Sequence, residues 1–140
     1  MKMLVGVDGS ESSQRAVAWC AEHATALDAN VIAVHALEVP VYAWLPDAYA
    51  PPVYADTDRE NIREVLREKW CSQLSAANVP FDANVIQGYP ADVIIEAARR
   101  EQADIVVVGR RGLGSFTKTL LGSTSHHLSH HLDRPLVIVP

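Results

Sequence analysis

Five short strand patterns alternate with helical patterns along the whole chain, and this order constrains the fold more than any other feature. The strand patterns cover Lys2–Val7, Asn30–His35, Phe81–Gln87, Ile105–Val108 and Leu136–Val139. Four of them are continuous apolar runs, whereas Phe81–Gln87 alternates apolar and polar residues, as a half-exposed or edge strand does. Continuous apolar runs are typical of parallel strands that are buried on both faces. The order therefore predicts an α/β protein with a mainly parallel sheet covered by helices.

Between the strands, apolar residues recur at helical spacing over about 12–27, 58–76, 90–100 and 122–132. Right-handed crossovers between parallel strands favour a doubly wound, three-layer α/β/α sandwich of the Rossmann-like class. We expect the sheet to be wound outward from the first strand, which gives the strand order 3-2-1-4-5. A length of 140 residues suits one domain, so we assign 1–140 to a single unit.

The charge balance excludes some classes of protein. Lys and Arg total 12 against 17 Asp and Glu, and the resulting net charge of −5 argues against nucleic-acid or anionic-membrane binding. No apolar run approaches ~18 residues, the length of a membrane span. The two cysteines, Cys20 and Cys71, make neither a disulfide framework nor a metal knuckle, which favours a reducing compartment. We therefore expect a cytoplasmic location.

Residues 39–56 form the one irregular stretch of the sequence. They hold four of the eight prolines and four of the nine aromatic residues, namely Tyr42, Trp44, Tyr49 and Tyr54. A long loop in a small domain often carries function. Two interpretations stay open, a surface loop that packs its own aromatic side chains and a lid or partner surface.

The carboxyl ends of the first and fourth strands are expected to meet at one crevice. In an open parallel sheet, ligands bind outside the carboxyl ends of the strands, where the strand order reverses. That point lies between the first strand, which leads into Asp8, and the fourth, which leads into Gly109. The following segment, 109–122, has no acidic residue and carries three basic ones, Arg110, Arg111 and Lys118. The pattern indicates an anion site at this edge of the sheet.

The start of the last helix offers donors to such an anion. The amide N–H groups of Gly122, Ser123 and Thr124 can point at anionic oxygens, helped by the helix dipole. Side-chain hydroxyls, including that of Ser125, can donate as well, and glycines allow close backbone approach and positive φ. The alternative is that Gly109–Gly114 is only a turn and that Ser123 is only a helix cap.

The same residues resemble the nucleotide motif of the universal stress protein family, Gly-x2-Gly-x9-Gly-Ser/Thr. The motif is complete here as Gly109, Gly112, Gly122 and Ser123. Further segments extend the resemblance over essentially the whole chain, namely Val5–Ser10, Gly88–Pro90 and Pro135–Val139. The full spacing, placed between a strand and a helix, makes the resemblance specific.

The resemblance implies a five-stranded parallel sheet and ATP binding, as in the branch of the family that keeps these glycines. By analogy, Val7 and Asp8 would lie along the adenosine. The backbone of Ala36, just past the second strand, would meet the adenine edge. The ribose side would be lined by Val108 and Gly109. The phosphates would be held by Arg111, Gly112, Gly122, Ser123 and Thr124.

On this basis we predict an ATP-binding universal stress protein that acts as a nucleotide-dependent sensor or regulator with little or no turnover. ADP, AMP or cyclic AMP could replace ATP, and Mg²⁺ could accompany a triphosphate, although no carboxylate cluster is dedicated to it. No catalytic residue is assigned, and the sequence has no Gly-x4-Gly-Lys-Ser/Thr P-loop. The enzymatic alternative is a slow adenine-nucleotide hydrolase, or a phosphotransferase that modifies Ser123 or Thr124. A third alternative is an interaction module that uses the loop 39–56.

Four histidines form two pairs on the last helix, His126 with His130 and His127 with His131. A spacing of four residues can place two imidazoles on one metal ion, but no third ligand is evident. A packed or solvated helix face and a metal site stay open as interpretations, and we assign no metal site.

The last strand, Leu136–Val139, is short and apolar and would lie at a sheet edge. An exposed apolar edge is normally covered, because it invites pairing with another chain. We predict that two copies pair antiparallel through this strand into a twofold dimer, and the family resemblance points the same way. The alternative is that the loop 39–56 of the same chain covers the edge.

Overall fold

The computed structural model describes residues 1–38, 56–113 and 121–140. Five parallel strands form one sheet with the order β3-β2-β1-β4-β5, so the predicted fold class and strand order are confirmed. The strands are β1 (Lys2–Gly6), β2 (Asn30–Leu37), β3 (Phe81–Gln87), β4 (Ile105–Gly109) and β5 (Leu136–Val139). The predicted irregular loop 39–56 lies outside the described residues except for Asp56, where a helix begins.

Helices cover both faces of the sheet. They are α1 (Glu11–Ala24), α2 (Asp56–Val65), α3 (Ser72–Ala76), α4 (Pro90–Arg100) and α5 (Ser123–His131). The first three pack on one face and the last two on the other, which gives the predicted three layers. No helix in the described part of the chain is long and apolar enough to cross a bilayer.

The centre of the sheet is fully buried. Leu4 of β1 lies between Ile32 on β2 and Val106 on β4. Leu4 and Val106 have no exposed surface, and each such side chain contributes about 1.5–3 kcal/mol through burial. The continuous apolar runs therefore mark strands that are covered on both faces, as predicted.

Helix α1 begins as expected and ends three residues early. The Ser10 hydroxyl accepts a hydrogen bond from the Ser13 amide (3.2 Å), which makes Ser10 the N-cap. The helix was predicted to reach Leu27, but that side chain is 44% exposed. Asp28 adopts a left-handed backbone (φ 46°), which lets the Ala29 amide bond to the Ala24 carbonyl and closes the helix.

The single helix predicted over 58–76 is wrong in one respect, because a π-helical turn at Leu66–Trp70 separates α2 from α3. The Cys71 amide donates to the Leu66 carbonyl, five residues back, at 2.9 Å. The extra residue in this turn shifts the buried stripe. Leu66 and Leu74 are fully buried, whereas Val65 is 41% exposed.

Candidate functional site

A crevice of about 650 Å³ opens at the carboxyl ends of β1, β2 and β4, which is the predicted switch point of the sheet. Its size falls in the range of small-molecule sites. All ten residues predicted for nucleotide binding line it: Val7, Asp8, Ala36, Val108, Gly109, Arg111, Gly112, Gly122, Ser123 and Thr124. Segments that are distant in the sequence thus meet in one cavity.

Asp8 holds the turn after β1 against the loop after β4. One carboxylate oxygen accepts a hydrogen bond from the Ser10 amide (2.9 Å), and the other accepts one from the Leu113 amide (3.2 Å). Gly112 lies directly against this carboxylate, since a Cβ atom at Gly112 would sit 2.5 Å from the second oxygen. The negative charge at the mouth of the crevice is therefore held by backbone donors.

The motif glycines serve close packing, and the expectation of positive φ is wrong for them. A Cβ atom at Gly109 would lie 2.6 Å from the backbone carbonyl carbon of Ser12 on α1. Among the glycines of the described segments, a left-handed backbone occurs at Gly9 (φ 80°), and Gly88 also has positive φ (147°). Gly109 is thus required by the approach of α1 to the end of β4.

The start of α5 is built differently from the prediction. The N-cap is Gly122, with φ −64°, so the interpretation of Ser123 as the cap is wrong. The Gly122 amide donates to the Arg110 carbonyl (2.9 Å), and the buried Ser125 hydroxyl lies 2.8 Å from the same oxygen. Neither group is thus available to an anion, which corrects that expectation. The amides of Ser123 and Thr124 lie in the first turn, where N–H groups have no partner within the helix.

The basic residues divide between two places. Arg111 lines the crevice, and its amide donates to the Ser12 hydroxyl (3.3 Å). Arg110 is absent from the crevice lining, and its amide donates to the Val139 carbonyl (2.7 Å) on the β5 side. Its side-chain Nε is buried without a hydrogen-bond partner among the described residues. Lys118, like Gly114, lies outside the described residues.

Ala36 lies inside β2, paired with Ile86, rather than past the strand as predicted. The Val34 carbonyl accepts from the Val7 amide, so Val34 directs its backbone groups toward β1. Because a strand repeats every two residues, the backbone groups of Ala36 face the same side, beyond the end of β1. The backbone of Ala36 therefore faces the crevice although its strand is longer than expected.

Helix α4 supplies a wall that the sequence analysis missed. Pro90 and Ile94 line the crevice together with Val108. Gly6 lets this wall approach the sheet, since a Cβ atom there would lie 2.8 Å from the Ile94 Cδ1 atom. A signal existed in the sequence, because a helix that follows a parallel strand begins at the carboxyl edge where ligands bind.

His35 and Trp70 pack beside the end of β1. The His35 Nδ1 atom donates to the Val7 carbonyl at 2.7 Å, which fixes the proton on that nitrogen. The two rings meet edge to face, with centroids 5.1 Å apart. A Cβ atom at Gly9 would lie 2.6 Å from the Trp70 ring, so the indole covers the turn that follows Asp8.

The thiols belong to the core. Cys20 and Cys71 have no exposed surface, as expected for small core residues. Burial raises the pKa of each thiol to about 12, and the neighbouring Cys71 adds to the effect at Cys20. Neither residue lines the crevice.

The sequence profile of the universal stress protein family matches residues 1–140. The chain belongs to this family. It is 33% identical over 138 residues to a universal stress protein of Thermus aquaticus, covering 98% of this chain and 96% of that protein. A universal stress protein of Mycobacterium tuberculosis is 32% identical over 137 residues, covering 98% and 94%.

Solved structures of universal stress proteins share the fold. One was crystallised in complex with cAMP; it is 28% identical, with a TM-score of 0.72, covering 100% of this chain and 96% of that one. A universal stress protein from Lactobacillus plantarum superposes with a TM-score of 0.79 at 20% identity, covering 100% and 97%. Another, from Archaeoglobus fulgidus in complex with dAMP, has a TM-score of 0.72 at 20% identity, covering 100% and 98%.

Proposed function

We propose that the chain binds an adenine nucleotide in the crevice between the ends of β1 and β4. One observation carries the proposal: an apolar wall and the amino end of α5 line the same cavity. An adenine ring suits the wall, and a phosphate group suits the positive end of a helix dipole. The similar universal stress protein in complex with cAMP supports this class of ligand.

Within the crevice, the adenosine lies along Val7 and Asp8, and the adenine edge meets the backbone of Ala36. This position for the adenine edge is supported by the backbone of Ala36, whose N–H and C=O groups face the side of β1 but lie beyond the end of that strand. The ribose lies beside Val108 and Gly109. The phosphates lie at Arg111, Gly112, Gly122, Ser123 and Thr124.

The phosphate end combines three kinds of donor. Since the Gly122 amide is engaged by Arg110, amide donors come from Ser123 and Thr124. Their hydroxyls add two more donors, and Arg111 adds a positive charge. AMP, ADP, ATP and cyclic AMP all carry the required phosphate. Mg²⁺ enters this proposal only as an ion carried by a triphosphate, since no group of three metal-binding side chains is assembled in the described residues.

Binding without turnover fits this site better than catalysis. Each oxygen of the Asp8 carboxylate accepts a backbone hydrogen bond, so this side chain serves to hold the turn after β1 and the loop after β4. We assign no general base and no nucleophile in the crevice. We propose that residues 1–140 act as one cytoplasmic unit, a nucleotide-dependent stress sensor or regulator.

We further propose a twofold dimer through β5. Leu136–Val139 is an edge strand, and all four of its residues are only partly buried in one chain. Antiparallel pairing of two copies would cover these apolar side chains and satisfy the edge amides. Coverage of the edge by residues of the predicted loop 39–56 falls outside the described residues.

Isothermal titration with AMP and ATP tests the nucleotide site, with GMP as a control for the base. We expect one adenine nucleotide per chain and weaker binding of GMP. Arg111→Ala should weaken binding about tenfold or more, because a charge-assisted contact to phosphate is lost. Arg110→Ala is the matched control, since that residue is absent from the crevice lining. If adenine nucleotides do not bind, or if both variants weaken binding equally, the proposal fails.

A further inference from the structure

The outer face of α5 carries a band of four exposed histidines that the nucleotide site does not use. They are His126, His127, His130 and His131. None of them lines the crevice. Exposed imidazoles contribute little to a core, and imidazole is a common ligand of Zn²⁺, Ni²⁺ and Cu²⁺.

One of the two pairs has a carboxylate beside it. The rings of His127 and His131 are 4.3 Å apart at an interplanar angle of 35°. The His127 Nε2 atom lies 3.9 Å from an Asp92 carboxylate oxygen at the start of α4. Among the ion pairs of the described residues, none joins a carboxylate to His126 or His130.

The spacing of these atoms is close to that of a coordination sphere. Two ligand atoms bound to one tetrahedral Zn²⁺ at about 2.1 Å lie about 3.4 Å from each other. The separation between His127 Nε2 and the Asp92 oxygen is 3.9 Å, and the two side chains are 47% and 64% exposed. Small rotations of these exposed side chains would bring both atoms within reach of one ion.

We propose that His127 and His131, supported by Asp92, bind a divalent transition-metal ion on the outer surface of α4 and α5. As placed, no three His, Cys, Asp or Glu side chains of the described residues stand close enough to hold a metal ion, so the proposed site forms only after these side-chain rotations. The order of affinity should be Cu²⁺ above Zn²⁺, as for other sites with nitrogen and oxygen ligands.

The matched comparison lies on the same helix. His126 and His130 have the same spacing and a ring separation of 4.7 Å, but they lack the ion pair to Asp92. Substitution of either pair by alanine changes only exposed side chains, so both double variants should keep the far-UV circular dichroism of the parent chain.

Calorimetric titration with ZnCl₂ and CuCl₂ in a non-coordinating buffer tests the proposal. We expect one ion per chain at the stronger site. His127→Ala/His131→Ala should raise its dissociation constant about tenfold or more, because two-point attachment is lost. His126→Ala/His130→Ala should leave it within about twofold, as expected for an independent site. Asp92→Asn should weaken Zn²⁺ binding by an intermediate amount.

Electron paramagnetic resonance of bound Cu²⁺ gives a second readout. The parent chain should show hyperfine coupling to imidazole nitrogen, and His127→Ala/His131→Ala should lose it at the same metal concentration. Absence of saturable Zn²⁺ and Cu²⁺ binding would overturn the proposal. Equal losses of metal affinity in the two double variants would overturn the proposal as well.

Discussion

The Asp8 carboxylate accepts a hydrogen bond from the Leu113 amide at 3.2 Å, across 105 residues of sequence. This bond joins the turn after β1 to the loop after β4, the two ends of the crevice that face the switch point. The other carboxylate oxygen accepts from the Ser10 amide and holds the cap of α1 in the same arrangement. One side chain therefore fixes the relative position of the first turn, the first helix and the glycine loop.

Asp8→Ala should release the loop after β4 from the turn after β1. The two amides of Ser10 and Leu113 lose a charged acceptor, and the free energy of unfolding should fall by about 1–3 kcal/mol in urea titrations. Nucleotide binding should weaken about tenfold or more, since the phosphate loop is no longer held beside β1. Asp82→Ala is the control, because Asp82 is an exposed residue of β3. Equal stability of both variants would contradict the role assigned to Asp8.

Two motif glycines should respond differently to the same substitution. Gly109→Ala places a Cβ atom 2.6 Å from the backbone of Ser12, which cannot rotate away, so unfolding should become easier by about 1–3 kcal/mol. At Gly122 the nearest contact would be 3.2 Å and φ is −64°, which alanine accepts, so the loss should stay below about 1 kcal/mol. Thermal and urea unfolding measure both. Gly122→Ala destabilising the chain more than Gly109→Ala would refute this division of roles.

The two buried thiols should make stability fall at alkaline pH. Their pKa values rise from 9.0 to about 12 on folding, so the folded chain keeps protons that the unfolded chain releases. The contribution of the protonated thiols to the free energy of unfolding is complete below about pH 9 and is lost as pH rises toward 12. By pH 10 the loss should reach about 1 kcal/mol for each thiol.

Urea unfolding at pH 8, 9 and 10 isolates this effect. Cys20→Ala/Cys71→Ala should be less stable at pH 8 because it loses buried atoms, but its stability should fall less steeply above pH 9 than that of the parent chain. Identical slopes in the two proteins would show that the thiols do not titrate as described.

Ile138→Pro should separate the proposed dimer. The Val106 amide donates to the Pro135 carbonyl and the Arg110 amide to the Val139 carbonyl, so odd-numbered residues of β5 face β4. The Ile138 amide therefore faces the open edge, and proline removes it without breaking the ladder to β4. Ile138→Ala keeps the amide and serves as the control. Sedimentation should give a monomer for the proline variant and a dimer for the control; the reverse order, or a monomeric parent chain, would refute the pairing.

Much of the fold could be predicted because its signals are local. Continuous apolar runs such as Ile105–Val108 mark buried parallel strands, and the preference for right-handed crossovers favours a doubly wound sheet. The π-helical turn at Leu66–Trp70 escaped prediction, because one extra residue in a helix changes the buried face without changing the composition. The early end of α1 escaped for a similar reason, since Asp28 in a left-handed conformation is set by the closing hydrogen bond.

In the candidate site, too, the features that depend on contacts between distant residues escaped prediction. The glycine spacing identified the segments that line the crevice. It could not show which hydrogen-bond donors of those segments are already bonded to other groups of the protein. The Gly122 amide and the Ser125 hydroxyl both contact the Arg110 carbonyl, 12 to 15 residues away, and only the folded loop brings them together. Likewise, the wall formed by Ile94 depends on the packing of α4 over Gly6.

Amide chemical-shift mapping with AMP tests the central claim most directly, because each peak reports on one position of the chain. The account predicts saturable shifts that are largest at Ser123, Thr124 and Ala36, with little change at Leu66 in the opposite helical layer. An absence of shifts at millimolar AMP, or shifts centred on the π-helical turn instead of on the crevice, would contradict it.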